Sequence, residues 1–333
     1  MDWSHPLLQI QFEQLSSNNP PSVSSVKTPV VWNGDIYALG RDHLNRGSLL
    51  KYSISHNEWS ITLVPSKIYT SYSVLTTYLS ELILISGQNW TIWEFDYNCN
   101  VFKESCIPPV PGPKHSMTSV ATSEDKYLIV APGILHLFDE LEDDDHDHTI
   151  CVQIFDGSSW RAQQYDLSAL PYDYGSSMIR WTTFIGNRTM FVAWCNDEGS
   201  RVLSSIYKAP LLLGECDVSM TIIKLEIYVE EIDYPRIYPQ HSLFLLNNQL
   251  FIIDSQGIIH TTYMQPPIGV IWILNSIGNS ISFRQAPHIV ALPNGELLVV
   301  GIVMYYDHKN WEDQSERTSK SQLDVINVHR KGI

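Results

Sequence analysis

Six times along the chain a short polar turn is followed by a near-continuous apolar run, most often closing on a glycine or small residue. Asn33-Gly34-Asp35 leads into Ile36-Tyr37-Ala38-Leu39-Gly40, Ser80-Glu81 into Leu82-Ile83-Leu84-Ile85-Ser86-Gly87, and Asp125-Lys126 into Tyr127-Leu128-Ile129-Val130. Weaker copies are Met190-Phe191-Val192-Ala193 after Asn187-Arg188-Thr189 and Leu250-Phe251-Ile252-Ile253 after Asn248-Gln249. The last is Leu297-Leu298-Val299-Val300-Gly301 after Asn294-Gly295-Glu296. Anchored on Asp35, Glu81, Lys126, Thr189, Gln249 and Glu296, the copies are 46, 45, 63, 60 and 47 residues apart. Six units therefore fill the chain, and such a period marks a repeat architecture.

An apolar segment also precedes each turn, as in Tyr72-Ser73-Val74-Leu75, His115-Ser116-Met117 and His241-Ser242-Leu243-Phe244. Two apolar runs about a polar turn predict a β-hairpin. After each run come a further strand, a turn and a bulky residue. Tyr52 to Trp59, Phe95 to Phe102 and Leu274 to Ile281 span seven residues, and Phe155 to Trp160 is a shortened copy. Four short strands per unit of this length predict the blade of a β-propeller. The apolar run is expected to be the inner, fully buried strand, because a run without alternation has both faces covered. The small residues after it are expected to let backbones crowd together, and the late aromatic to wedge between neighbouring blades.

Apolar run plus glycine, then Tyr or Phe, then Trp about seven residues on, with a small residue or His-Ser opening the next unit, resembles kelch repeats. The resemblance covers roughly residues 20–333. The double glycine of that family is reduced to Gly40, Gly87, Gly133 and Gly301, and is absent near Cys195 and Asp254. The expected fold is all-β: a single six-bladed kelch-type β-propeller domain over residues 1–333, with six repeats from about residue 21. The chain ends after Leu323-Asp324-Val325-Ile326-Asn327-Val328, a third-strand pattern, and Leu7-Leu8-Gln9-Ile10-Gln11-Phe12 supplies a fourth. The N- and C-terminal strands are thus expected to close the propeller in one blade, with residues 1–20 as closing strand and lead-in, leaving no open edge.

Composition narrows the partners. Apolar residues make up 44% of the chain and charged residues 17%, enough for a large core and too few charges for a disordered chain. The net charge of -15 comes without any cluster of Lys and Arg, which argues against nucleic acid and against anionic membranes. No apolar run is long enough to span a bilayer. The first residues, Met1-Asp2-Trp3-Ser4-His5-Pro6, carry no basic or apolar leader, so the cytoplasm is the expected location. Cys99, Cys106, Cys151, Cys195 and Cys216 are odd in number and lack a CxxC pair, so reduced, mostly buried thiols are expected.

Two features bear on chemistry. Asp139-Glu140-Leu141-Glu142-Asp143-Asp144-Asp145-His146-Asp147-His148 packs seven carboxylates and two imidazoles into ten residues, a donor set suited to a divalent ion. Glu140, Asp144 and His148 stand four apart, which is similar to the ExxxDxxxH iron motif of the kelch-type nitrile-specifier proteins. The other reading is a solvated acidic loop, with no cofactor. Second, the segments leading into the first strands carry Tyr69, Tyr72, His115, Tyr172, Tyr174, Arg236, Tyr238, His241, Arg284 and His288. In a propeller these loops share one rim, and Tyr and Arg dominate protein-binding hot spots. The kelch resemblance implies that this rim and the second-to-third-strand loops, here with Arg41, Asp42, His43, Arg46, Tyr305, Tyr306, His308 and Trp311, bind the partner.

No phosphate-cradling glycine loop, GxSxG or HExxH is present. The leading expectation is an interaction module that takes a protein or peptide on this rim. The alternatives are a metal-dependent enzyme and a carbohydrate-binding or carbohydrate-modifying propeller. If the acidic run is a solvated loop, shortening residues 139–148 leaves the melting temperature unchanged and the purified protein carries no metal by elemental mass spectrometry. A clear loss of stability together with an equivalent of bound metal gives the run to an ion.

Overall fold

The computed structural model describes residues 10–15, 19–42, 44–70, 73–87, 89–111, 117–123, 126–132, 149–166, 168, 180–186, 188–198, 201–213, 222–232, 242–246, 249–253, 258–263, 275–276, 282–283, 287–294, 296–305 and 320–330. All their regular elements are strands. The first is β1 (Ile10–Leu15). A sheet follows from β2 (Ser25–Trp32), β3 (Asp35–Arg41), β4 (Gly47–Ser53) and β5 (Glu58–Leu63). The next holds β6 (Val74–Tyr78), β7 (Glu81–Ile85), β8 (Ile92–Asp96) and β9 (Val101–Glu104). A third runs through β10 (Met117–Ser123), β11 (Tyr127–Pro132), β12 (Thr149–Phe155) and β13 (Trp160–Asp166). A fourth combines β14 (Arg180–Gly186), β15 (Thr189–Glu198) and β16 (Arg201–Pro210) with β18 (Glu226–Ile232), while β17 (Ile222–Lys224) leaves to lie parallel beside β13. The fifth contains β19 (Ser242–Leu246), β20 (Gln249–Ile253), β21 (Ile258–Tyr263) and β22 (Asn275–Ser276). The sixth is built from β23 (Ser282–Phe283), β24 (His288–Ala291), β25 (Leu297–Tyr305) and β26 (Lys320–Arg330), with β1 on its edge.

The chain divides into two compact units, 1–65 with 240–333, and 66–239. In the first unit β1 pairs antiparallel with β26, from Ile10 opposite Arg330 to Leu15 opposite Val325. The expected N-terminal strand is therefore present over Ile10–Leu15. Its place as the outer neighbour of β26 gives the C-terminal strand a partner for its outer N–H and C=O groups.

The turns follow from residue type in some places and not in others. Asn33 (φ 49) and Gly34 (φ 80) form the two-residue loop between β2 and β3, the pair that tolerates left-handed backbone with least strain. Between β6 and β7 the same loop is made by Leu79 (φ 49) and Ser80 (φ 65), with Leu79 57% exposed. Here the sequence pattern places the turn one residue late, at Ser80-Glu81.

The apolar runs are second strands, flanked in their own sheet on either side. The strand order β2-β3-β4-β5 and its counterparts make each of them an interior strand of its sheet. Both faces are buried. On β11, Leu128 and Val130 pack with Ile83, Ile85 and Ile92 of the preceding sheet. Tyr127, Ile129 and Ala131, pointing the other way, pack with Met190, Val192 and Tyr207 of the following one. In the first unit Ile36 and Ala38 meet Leu298, Val300, Leu323 and Val325. Each Val, Leu, Ile or Met among them contributes about 1.5–3 kcal/mol on burial.

The seven-residue aromatic spacing is a register effect. Tyr52 lies opposite Trp59, Phe95 opposite Phe102 and Phe155 opposite Trp160 across the hairpins joining third and fourth strands. Their ring centroids are 5.1, 5.2 and 5.2 Å apart, the range of favourable tilted aromatic pairs. Tyr52 also donates to Asn57 Oδ1 at 2.6 Å, fixing the turn between them. Leu274 and Ile281 lie outside the described residues.

Gly40 serves a different end from the one expected. A Cβ there would stand 2.6 Å from Cδ1 of Leu50, a side chain that is fully buried. The glycine is needed to seat a core leucine rather than to let backbones meet. Gly40→Ala is therefore expected to destabilise the protein by about 1–3 kcal/mol, through overpacking. In urea denaturation the double variant Gly40→Ala/Leu50→Ala should show coupling between the two sites; strict additivity would refute the contact.

Candidate functional site

Antiparallel pairing puts the start of each first strand beside the end of the second, so the two loop sets of a sheet share one end. In the first sheet a serine joins them. The Ser24 amide donates to the Arg41 carbonyl at 2.7 Å, and its hydroxyl reaches the carbonyls of Arg41 and Asp42 at 3.0 and 3.2 Å. In the second sheet Ser73, only 1% exposed, takes that role. Its Oγ accepts from the amides of Thr70 (2.8 Å) and Gly87 (3.3 Å) and donates to the Ile68 carbonyl at 3.2 Å. In these two sheets a serine ahead of the first strand thus holds two loops together through its hydroxyl, a function that sequence pattern alone does not disclose.

The loop from Asp42 to Arg46 is ordered by one carboxylate. Asp42 Oδ1 accepts from the amides of Leu44 and Arg46 at 2.9 and 2.8 Å, and Oδ2 from Arg46 Nε at 2.7 Å. The Arg46 amide, then its guanidinium, hold the Asp42 carboxyl below its usual range. Asn45, at φ 60, lets the chain turn back. The result presents Leu44 at 73% exposure beside an exposed Arg46.

Of the residues expected on the rim, Tyr69 and His288 lie among those described. Tyr69 precedes the loop that Ser73 secures and is only 7% exposed, so its ring is buried rather than presented to a partner. His288 opens β24, and its Nε2 donates to the Val26 carbonyl at 3.3 Å across two first strands of the same unit. Burial draws its imidazole down to about 4, so it stays neutral at physiological pH. Tyr72, His115, Tyr172, Tyr174, Arg236, Tyr238, His241 and Arg284 lie outside the described residues, as do His43, Tyr306, His308 and Trp311.

The acidic run with Glu140, Asp144 and His148 also lies outside them. Among the described residues no three His, Cys, Asp or Glu side chains come together as a metal site, and no helix is long and apolar enough to cross a membrane. Cys99 and Cys106 are free and exposed, and Cys151 is half-buried. This corrects the expectation of mostly buried thiols, because Cys99 sits in a hairpin turn and Cys106 just beyond an edge strand.

No protein-family model matches the chain, and no curated protein matches it. Among solved structures it is similar to a triple arginine-to-alanine variant of AofleA from Arthrobotrys oligospora, at 12% identity and a TM-score of 0.52 over 98% of this chain and 88% of that one. It is similar to phage phi92 endosialidase at 8% identity and a TM-score of 0.51, covering 98% and 70% of the two chains. NanB sialidase from Streptococcus pneumoniae aligns at 10% identity and a TM-score of 0.50, over 99% and 71%. These are β-propeller proteins, and the likeness gives this chain its class: an all-β β-propeller.

The serine staple yields a test. Ser73→Ala removes the acceptor of the half-buried Thr70 and Gly87 amides, at a cost of about 0.5–1.5 kcal/mol. Hydrogen exchange should quicken at those two amides more than in β7. Unchanged protection at Thr70 and Gly87 would refute the staple.

Proposed function

We propose that this chain is a single six-bladed propeller of kelch type, shut by the pairing of β1 with β26, and that it serves as a cytoplasmic interaction module for a protein or peptide. The observation that supports the reading is the serine-stapled loop end, where the Asp42–Arg46 loop holds an exposed leucine beside an exposed arginine. Such pre-organisation lowers the ordering cost of binding. The tyrosines and arginines that the sequence places in the neighbouring loops supply the residue types on which interfaces depend. The acidic balance of the chain favours a basic partner by long-range attraction.

A second reading, a carbohydrate-directed propeller, draws support from the names of two structural neighbours, a sialidase and an endosialidase. At 10% and 8% identity these carry the fold and not the chemistry. One experiment separates the readings. The wild-type protein and the variant Tyr72→Ala/Tyr174→Ala/Arg236→Ala/Tyr238→Ala are used as baits for affinity purification with quantitative mass spectrometry, and both are applied to a glycan array. The interaction reading expects a defined protein set that the variant loses at an unchanged melting temperature. Recovery of the same set by the variant, or glycan binding in the absence of any protein set, overturns it.

A further inference from the structure

The segment between β9 and β10 carries Ile107-Pro108-Pro109-Val110-Pro111. No strand includes it, and its backbone follows from its residues. Each proline ring fixes φ at about −65°. Ile107, Pro108 and Val110 each stand before a proline, which steers them away from helical backbone toward extended, polyproline II geometry. None of the five has positive φ. Polyproline II turns once in about three residues. Ile107 and Val110 therefore share one edge, Pro108 and Pro111 a second, and Pro109 stands on the third.

Burial follows that period. Val110 is 5% exposed, in the cluster that also holds Ile83, Ile85 and Phe155, and Ile107 packs against the same cluster. Pro108, Pro109 and Pro111 are all exposed. One edge thus lies on the core, and the other two face water as a ridge of proline rings. Prolines leading into a first strand need not be displayed in this way. In Pro20-Pro21-Ser22-Val23, ahead of β2, Pro21 is buried together with Val23 and Pro20 is half-buried. Stiffening the chain requires the rings but not their exposure.

The ridge is held from both sides. From the third sheet, Trp160 Nε1 donates to the Pro108 carbonyl at 2.8 Å. From the ridge itself, the Val110 amide donates to the carbonyl of Trp90, in the loop between β7 and β8, at 3.0 Å. The Ile107 amide donates to Ser105 Oγ at 3.1 Å. A segment set in advance loses little freedom when a partner binds it. Polyproline II segments are recognised by grooves lined with aromatic side chains, against which the proline rings pack.

We propose that Pro108, Pro109 and Pro111 form a docking ridge for a protein domain with an aromatic-lined polyproline groove. Ile107 and Val110 are turned inward, so the groove reads proline rings alone. The inference goes beyond the rim reading and does not need it, since none of the Tyr, His or Arg residues assigned to the rim takes part.

The test measures binding of the full chain to a panel of purified WW, SH3 and EVH1 domains, by fluorescence anisotropy of the labelled domains. At least one domain should bind at micromolar concentration. The variant Pro108→Ala/Pro109→Ala/Pro111→Ala should keep the wild-type melting temperature and weaken that binding at least about tenfold. Binding by none of the domains overturns the ridge, as does equal binding by the variant. Should the variant fail to fold, competition on the wild-type protein decides the matter. A synthetic polyproline peptide should displace the protein from the domain, and binding that the peptide leaves unchanged refutes the ridge.

Discussion

The structure depends on one constraint: the second strand of a sheet is apolar on both faces, and each face must be covered by a different sheet. β11 shows this in full, with Leu128 and Val130 in one core cluster and Tyr127, Ile129 and Ala131 in another. A lone four-stranded sheet would leave one of these faces in water, at a cost of several kcal/mol across two or three large side chains. Stacking further sheets removes the cost by repeating it outward, which is why the sequence is periodic at all. The leading and outer strands are freer, since the second strands already hold the sheets together.

What could be read from the sequence is what this constraint writes into every unit. The unbroken runs, the Asn33-Gly34 turn and the seven-residue spacing of Tyr52 and Trp59 each reflect local geometry: burial on two faces, left-handed backbone, and cross-strand register. Features that depend on an unrelated part of the chain were not legible. Gly40 reads as a backbone contact until Leu50 is seen lying over it. Ser73 is one of many serines until its hydroxyl is found among Ile68, Thr70 and Gly87. The Leu79-Ser80 turn hides because neither residue belongs to the types that favour its backbone. Of the rim residues named from the sequence, Tyr69 is buried rather than presented on the surface, a difference that local pattern does not carry.

The uneven spacing of the repeats has a structural meaning in the fourth unit. Between Thr189 and Gln249 the chain leaves β16, adds β17 in parallel to the preceding sheet, and returns as β18. Arg161 and Gln163 on β13 each donate to the Leu212 carbonyl at 2.7 Å, holding the departing segment. The Tyr165 hydroxyl sits between Gln163 Oε1 at 2.7 Å and the Pro210 carbonyl at 3.1 Å. Burial raises the Tyr165 phenol well above its usual range, so it remains a neutral donor in this network. The effect is to cover the outer edge of the third sheet with a strand of the same chain, as β1 covers β26 in the sixth. Two different stretches of chain thus meet the same need for edge protection.

The first strands are where the repeats differ most. β6 is short, regular and largely buried, whereas β2 is bulged, half-exposed and carries Lys27 beside Arg41. Random drift toward a worse strand would be expected to weaken hydrophobic contacts. It does not account for a β-branched residue at positive φ, a half-buried ammonium and a neighbouring guanidinium all falling within one bulge. Local rules are broken together at one place, in a sheet whose second strand is regular and buried. The framework can tolerate this because Ile36, Ala38 and Leu50 secure the sheet on the face away from the charges.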